Sequence, residues 1–264
     1  MDRELGEGPE LSAAAATEIV TISGLCRRYG KLLAVDDLSL SIRRGEIFGL
    51  LGPNGAGKTT TINMLCGLLE PSAGSIAIAA SPRWGDPRRA IGYCPQDIMV
   101  WETLTCMEQL VLMGRMYKLP GPKAKARAAF LLEAMGLEEK RNRLAKTLSG
   151  GMRRRLSIIL ALVHEPELVV LDEPQAGLDP QSRVLVRDFI RSLGRDRTVI
   201  LTTHDMEEAD RLSDRVAIMD AGKILVVDTP EGLRRAAGIE EVVEVRRGTL
   251  EEVFIKLTGR GLRE

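Results

Sequence analysis

The sequence predicts an α/β fold in which helices flank a parallel sheet and a helical segment is inserted between two of the strands. Two apolar runs, Ile47 to Leu51 and Leu168 to Leu171, are short and nearly unbroken, and a helical pattern follows each. Such runs are typical of parallel strands buried on both faces within βα units. Between them, residues 97–147 contain helical patterns, a capping box at Thr105 and Glu108, and no strand candidate. We therefore interpret residues 97–147 as a helical subdomain inserted into the α/β core.

The remaining segments extend this core into one domain over residues 18–229. Near its beginning, apolar and polar residues alternate over residues 38–42, as in a half-buried strand, so the domain opens with β structure. After the second buried run, residues 179–180 (Asp-Pro) predict the start of a helix. Further strands are expected near residues 198–202 and 216–219.

The two ends of the chain are predicted to lie outside this domain. Residues 1–17 are acidic and contain only a short alanine run, so they lack the basic start and long apolar stretch of a secretory signal. We expect residues 1–17 to be a disordered extension. Residues 230–264 predict a C-terminal β and helical extension, whose last helix opens with a capping box at Thr249 and Glu252.

The composition narrows the possible classes of protein. Among 264 residues, 37 basic and 37 acidic side chains balance to a formal net charge of zero, which disfavours a nucleic-acid partner. The four cysteines show no C-x-x-C spacing, so neither a disulfide framework nor a zinc site is expected, and a reducing cytosol fits. The longest apolar run, residues 158–163, is far shorter than the roughly 18 residues that a membrane span requires.

A phosphate-binding loop is predicted directly after the first buried run. Residues 52–59 match the pattern G-x-x-x-x-G-K-[ST] and lie between a predicted strand and a predicted helix, where such a loop belongs. Its glycines let the backbone N–H groups face phosphates, and the following helix contributes its positive end. Lys58 is expected to reach the β and γ phosphates of a nucleotide, and Thr59 to bind Mg²⁺.

Two adjacent carboxylates end the second buried run. Asp172 and Glu173 follow each other on a strand, so their side chains point to opposite sides and can have different roles. Asp172 is placed to hold Mg²⁺, directly or through water, while Glu173 can polarise the water that attacks the γ-phosphate. The alternative is a pair of solvated loop acids.

Taken in order, these elements resemble the ATP-binding cassette family from about Glu18 to Thr229. Residues 148–152 (Leu-Ser-Gly-Gly-Met) resemble that family's signature segment. The resemblance implies that Ser149, Gly150 and Gly151 contact the γ-phosphate bound to the other subunit of a dimer. It also implies a P-loop NTPase core with a parallel sheet, an N-terminal antiparallel β subdomain and an inserted helical subdomain.

Four further residues take expected roles from the same resemblance. Gln96 resembles the glutamine that senses Mg²⁺ and the γ-phosphate, and His204 resembles the switch histidine after its strand. Tyr29 resembles the aromatic residue that stacks on adenine, although an isolated exposed tyrosine is the alternative. Asp179 resembles part of the loop that crosses the dimer interface, and it is also a good N-cap in its own right.

The predicted site therefore has three groups of residues. The catalytic group is Lys58, Glu173 and His204. The Mg²⁺ group is Thr59, Gln96 and Asp172. The ATP contacts are Tyr29, Gly52, Pro53, Asn54, Gly55, Ala56, Gly57, Lys58, Thr59, Thr60, Gln96, Ser149, Gly150 and Gly151. Arg153 to Arg155, at the positive end of the signature helix, are either a solvated face or neighbours of a polyanion.

Two departures from the commonest family pattern indicate a particular subfamily. Met152 replaces the usual glutamine of the signature, and Gln175 stands where a Ser or Thr commonly follows Asp-Glu-Pro. A methionine at the fifth position of the signature, as Met152 is here, is frequent in ATPases paired with type-2 exporter membrane subunits. The tail at residues 249–259 also resembles that of these ATPases, which include drug, glycolipid and lipooligosaccharide exporters. The resemblance implies a second copy or a similar cassette as partner, separate transmembrane permease subunits, and a peripheral location on the cytoplasmic face of the membrane.

Three other classes compete with this interpretation. Cassettes that act on ribosomes or DNA typically have two cassettes or long coiled coils, whereas this chain shows one cassette and no heptad insertion. A P-loop kinase would not explain residues 149–151 or the pair of acids. A cassette that only binds ATP would be expected to lose the base, the histidine or the signature, and all three are present.

Overall fold

The computed structural model describes residues 18–194 and 196–238. Their strands are β1 (Glu18–Tyr29), β2 (Leu32–Arg43), β3 (Ile47–Leu51), β4 (Ala73–Ile78), β5 (Ile91–Cys94), β6 (Leu168–Asp172), β7 (Thr198–Thr203), β8 (Arg215–Asp220) and β9 (Lys223–Asp228). The α-helices are α1 (Lys58–Leu65), α2 (Cys106–Met116), α3 (Gly121–Ala134), α4 (Gly150–Leu160), α5 (Pro180–Leu193), α6 (Met206–Leu212) and α7 (Pro230–Ala236). The predicted N-terminal extension and the predicted helix opening at Thr249 lie outside the described residues.

The larger sheet has six strands in the order β5-β6-β7-β3-β8-β9. Its first five strands are parallel, and β9 is antiparallel to β8 at the edge. The predicted parallel sheet is therefore confirmed, and both apolar runs are strands within it. The strand β5 was not predicted, because Ile-Gly-Tyr-Cys is short and shows neither alternation nor a run of β-branched residues.

Both faces of the parallel sheet are buried, which explains the unbroken apolar runs. Successive residues of β6 point to opposite faces, so Leu168 and Val170 enter one core while Val169 and Leu171 enter the other. The first core also contains β1, β2 and α1, and the second contains α2 to α5. The carboxyl ends of β3, β6 and β7 are thereby held rigidly at one edge of the sheet.

The smaller sheet has three strands in the order β2-β1-β4, all antiparallel. A tight connection joins β1 to β2, where Tyr29 pairs with Leu32. This sheet confirms the antiparallel β subdomain that the family resemblance implied. Its hairpin end carries Tyr29 to the edge of the molecule, where the side chain is 45% exposed.

The segment between β5 and β6 is helical, with α2, α3, two 3₁₀ turns at Glu138–Lys140 and Ala145–Thr147, and α4. The capping box at the start of α2 is present: the Thr105 hydroxyl accepts from the Glu108 N–H at 3.1 Å, and Glu108 accepts from the Thr105 N–H at 2.8 Å. These hydrogen bonds lower the pKa of the Glu108 carboxyl. Within the described ranges, no helix is both long enough and apolar enough to cross a membrane.

Candidate functional site

The phosphate loop, residues 52–59, joins the end of β3 to α1 as the sequence predicts. Two of its glycines leave no room for a side chain. A Cβ on Gly52 would lie 2.1 Å from the Met219 carbonyl oxygen, and one on Gly57 would lie 2.5 Å from the Ala34 carbonyl oxygen. Gly57 also has a φ of +104°, a conformation that favours glycine. The loop therefore needs glycine at both positions to curl against β2 and β8.

Lys58 begins α1 and folds back over the phosphate loop. Its ammonium donates to the carbonyls of Gly52 at 2.7 Å and Pro53 at 3.1 Å, and the residue is only 6% exposed. The same Nζ lies 3.7 Å from Glu173 Oε1. A buried cation thus sits between the phosphate loop and the carboxylate that ends β6.

Asp172 and Glu173 lie at the carboxyl end of β6, next to the phosphate loop. Asp172 is fully buried; its Oδ1 accepts from the Thr202 hydroxyl, and its Oδ2 has no hydrogen-bond partner. Glu173 is 5% exposed, so neither acid is solvated, and the alternative of two solvated loop acids is wrong. Thr202 also binds the Glu173 backbone, because the Glu173 N–H donates to its hydroxyl at 3.0 Å.

His204 follows β7 and faces Glu173. Its Nδ1 lies 2.8 Å from Oε2 and 3.0 Å from Oε1 of the carboxylate. The three groups predicted to be catalytic therefore form one row: the Lys58 ammonium, the Glu173 carboxylate and the His204 imidazole. Because the imidazole is half exposed while the other two are buried, His204 stands at the solvent end of the row.

A cleft of ≈ 380 Å³ opens above the phosphate loop. Its walls bring together most of the predicted contacts, including Tyr29, Asn54, Lys58, Thr59, Gln96 and Glu173. The cleft thus joins the hairpin of the small sheet, the phosphate loop and the segment after β5. Tyr29 at its rim is not an isolated surface residue, since it shares the cleft with the phosphate loop.

The signature segment occupies a different position. Ser149 caps α4, where its hydroxyl accepts from the Met152 N–H at 3.3 Å, and Ser149 and Gly150 are exposed. The described residues that line the phosphate-loop cleft include none of Ser149, Gly150 and Gly151. Within one chain, the signature segment and the phosphate loop do not share a cleft.

Two of the three arginines after the signature segment, Arg154 and Arg155, differ from both interpretations of the sequence, whereas Arg153 is partly exposed and pairs with Glu102. Arg154 and Arg155 are buried, at 2% and 7% exposure, so they are not a solvated face. Arg154 donates to the backbone carbonyls of Gln96 and Glu173 rather than to a polyanion. Sequence reasoning singled out Arg154 without this role, and it missed Thr202, because both act on backbone or neighbouring side chains without any spacing that marks them.

Two residues outside the site, Asp179 and His164, have structural roles. Asp179 caps α5 by accepting from the Ser182 N–H at 2.9 Å, which confirms its N-cap role. His164 lies in the turn after α4, stacks on Tyr117 with ring centroids 3.8 Å apart, and has its Nε2 3.1 Å from the Ile91 carbonyl. Burial lowers the pKa of His164 to about 4, so this ring is neutral at physiological pH.

Known proteins resemble this chain in sequence and in fold. The family model for ABC transporter matches residues 35–176. The chain is 42% identical to the Nod factor export ATP-binding protein I of Ralstonia nicotianae, covering 86% of this chain and 72% of that protein. It is 44% identical to the daunorubicin/doxorubicin resistance ATP-binding protein DrrA of Streptomyces peucetius, covering 84% of this chain and 68% of that protein. A solved ATP-binding subunit of an ABC transporter superposes with a TM-score of 0.75 at 30% identity, covering 91% of this chain and 99% of that one.

The chain belongs to the ABC transporter family. It is one of that family's ATP-binding proteins, and it hydrolyses ATP. The family resemblance stated from the motifs alone is therefore confirmed. The roles of the individual residues are predictions.

Proposed function

We propose that this chain powers an export system by hydrolysing ATP in the cleft above the phosphate loop. The observation that carries the proposal is the row of Lys58, Glu173 and His204, buried at its first two members, with Nζ to Oε1 at 3.7 Å and Nδ1 to Oε2 at 2.8 Å. A row of cation, carboxylate and imidazole beside a phosphate loop is suited to holding and activating a water molecule.

Each member of the row takes one role. Glu173 accepts the proton of the attacking water, because a buried carboxylate held between two partners is oriented for that transfer. His204 orients the carboxylate from the solvent side through Nδ1. Lys58 leaves the Gly52 and Pro53 carbonyls and pairs with phosphate charge when the nucleotide binds. The backbone N–H groups of the phosphate loop and the start of α1 hold the phosphates.

The residues around the loop fit a Mg²⁺ ion. The buried Asp172 Oδ2 has no hydrogen-bond partner, and an unpaired buried carboxylate oxygen is costly unless a cation or ordered water completes it. Thr59 and Gln96 line the adjacent cleft with oxygen ligands of the kind Mg²⁺ prefers. When bound, the ion would neutralise charge on the β and γ phosphates, with Thr59, Gln96 and Asp172 as its contacts.

A second subunit completes the site in this proposal. Ser149, Gly150 and Gly151 lie outside the cleft of their own chain and are accessible at the start of α4. In a pair of facing subunits, the signature segment of one chain closes the phosphate loop of the other. The start of α4 then presents backbone N–H groups to the γ-phosphate. Tyr29 stacks on the adenine at the far end of the cleft.

The partner in the membrane is inferred from the relatives and from an apolar surface. The relatives named above are described as export and resistance proteins, which supports export here. Large apolar side chains are exposed directly after Gln96, among them Ile98 at 40%, Met99 at 64% and Trp101 at 41%. These side chains belong to the helical segment 97–147, so this segment is the proposed contact with separate membrane subunits. The chain would then sit at the cytoplasmic face of the membrane.

Cross-linking tests where the membrane partner binds. In a background without the native cysteines, Met99→Cys is expected to cross-link to an integral membrane protein in isolated membranes. Leu225→Cys on β9 is the matched control, because Leu225 is equally exposed at 64% but lies on the edge strand of the large sheet. Cross-links from Leu225→Cys, or from residues 239–264, with none from Met99→Cys, would contradict the proposed contact.

Replacing Lys58 tests the proposed nucleotide site directly. We expect Lys58→Ala to weaken ATP binding, because the lysine pairs with phosphate charge that is already present before the reaction. Calorimetric titration with Mg·ATP measures this loss. An ATP affinity equal to that of the unaltered protein would count against the assigned loop.

A further inference from the structure

The guanidinium of Arg154 lies at the centre of the loops that build the proposed site. Arg154 is on the second turn of α4 and is 2% exposed. Its Nη1 donates to the carbonyls of Pro95 at 2.6 Å and Gln96 at 3.0 Å. Its Nη2 donates to the carbonyls of Asp172 at 2.6 Å and Glu173 at 2.9 Å, and Nε donates to Pro174 at 3.3 Å.

Every donor of this side chain is used. A guanidinium has five N–H donors in a fixed plane, and here five backbone carbonyls accept them. None of these acceptors is a carboxylate. A buried charge is tolerated only when its hydrogen bonds are complete, so the carbonyls are held in the directions that the planar fork dictates.

The five carbonyls belong to two segments that follow neighbouring strands. Pro95 and Gln96 follow β5, while Asp172 ends β6 and Glu173 and Pro174 follow it; β5 and β6 are adjacent in the sheet. Nη1 binds the segment that follows β5, and Nη2 and Nε bind the segment at the end of β6. The proposed γ-phosphate sensor and the proposed base are therefore fixed to each other through one side chain.

The Glu173 backbone needs this support. Its φ is +51°, a left-handed conformation that residues other than glycine rarely adopt and that persists where the surroundings enforce it. Thr202 holds the Glu173 N–H from one side, and Arg154 holds the Glu173 carbonyl from the other. Together these hydrogen bonds fix the direction in which the Glu173 side chain extends from the backbone.

Arg154 also ties this pair to the signature helix. Ser149 caps α4, and Arg154 lies five residues later, about 7.5 Å along the helix axis. The helix that offers Ser149 to the other subunit is thus attached to Gln96 and Glu173 of its own subunit. A rotation of α4 would displace both loops together.

We propose that Arg154 is a positioning residue that holds Gln96 and Glu173 in their working geometry and links them to the signature helix. It acts through backbone carbonyls and does not touch the nucleotide. The proposal rests on the proposed roles of Glu173 and Gln96. Lysine cannot replace this arginine, because its three donors radiate from one atom and cannot satisfy both segments.

The test compares Arg154→Lys with Ile159→Val. Ile159 is a fully buried residue of the same helix, outside the proposed site, so its variant loses stability without disturbing the loops. For Arg154→Lys we expect kcat for ATP hydrolysis to fall on the order of 10- to 100-fold, since small misplacements of reacting groups have such effects. The KM for ATP should change less than about 3-fold, because the phosphate loop is intact.

Hydrogen exchange supplies a readout that a general loss of stability would not give. Peptides covering residues 94–98 and residues 172–176 should both exchange faster in Arg154→Lys, while Ile159→Val should accelerate neither of them selectively. If Arg154→Lys does not accumulate as folded protein, Arg154→Gln takes its place, because two amide donors still cannot bind both segments.

Glu173→Gln, measured in parallel, distinguishes a failure of the positioning role of Arg154 from a failure of the proposed function. If Glu173→Gln abolishes turnover while Arg154→Lys resembles Ile159→Val in kcat and in exchange, the positioning role of Arg154 is wrong. Faster exchange in only one of the two segments would also overturn it. If Glu173→Gln keeps its turnover, the proposed function itself fails, whatever Arg154→Lys does.

Discussion

Glu173→Gln is expected to bind ATP with nearly unchanged affinity and to hydrolyse it about 10²–10⁴-fold more slowly, the usual contribution of a general base. The amide preserves the shape of a side chain that is 5% exposed and lies between Lys58 and His204, but it cannot accept the proton of the attacking water. Steady-state phosphate release measures the loss. A rate above about a tenth of the unaltered protein would refute the role of Glu173 as the base.

Glu46→Gln is the matched control for that variant. Glu46 is also a buried carboxylate, at 7% exposure, and it pairs with Arg215 at 3.2 Å. It precedes β3, so it lies at the end of the sheet opposite the phosphate loop. We expect Glu46→Gln to lower the melting temperature and to retain kcat, which would show that the effect at Glu173 depends on its place in the site.

Ser149→Arg is expected to abolish hydrolysis although the phosphate loop, Glu173 and His204 of the same chain are unchanged. The long charged side chain would occupy the space through which the start of α4 approaches the γ-phosphate on the other subunit. Losing the Ser149 cap costs about 0.5–2 kcal/mol, which is too little to unfold a typical domain. A cooperative melting transition at a modestly lower temperature, with no phosphate release, is therefore the expected pair of results.

Much of the fold follows from local sequence signals. The runs that form β3 and most of β6 are nearly unbroken apolar segments because both faces of the sheet are covered. The capping box at Thr105 and the Asp179–Pro180 helix start were predicted because each cap is completed within four residues of sequence. The phosphate loop was predicted because glycines and a lysine at fixed spacing have few other uses.

The supports of the site could not be predicted in the same way. Arg154 binds the carbonyls of residues that are far away in sequence, and a backbone carbonyl carries no information about residue type. An arginine on a helix therefore gives the same sequence pattern whether its side chain is solvated or buried. The role of Thr202 could not be predicted for a similar reason, because its hydroxyl hydrogen-bonds to the Asp172 carboxylate and the Glu173 N–H from the adjacent strand β7.

Activity measured in mixtures of two inactive variants tests the central claim, that each site is built from two subunits. Lys58→Ala damages the phosphate loop, Ser149→Arg damages the signature segment, and a homodimer of either has two damaged sites. In a mixed dimer both lesions fall in one site, and the other site is intact. Random pairing makes about half of the dimers mixed, so equal amounts should recover roughly a quarter of the unaltered activity if the sites act independently. If subunit exchange is verified by tagged pull-down and no ratio of the two variants restores phosphate release, a single chain supplies its whole site and the account of a facing pair is contradicted.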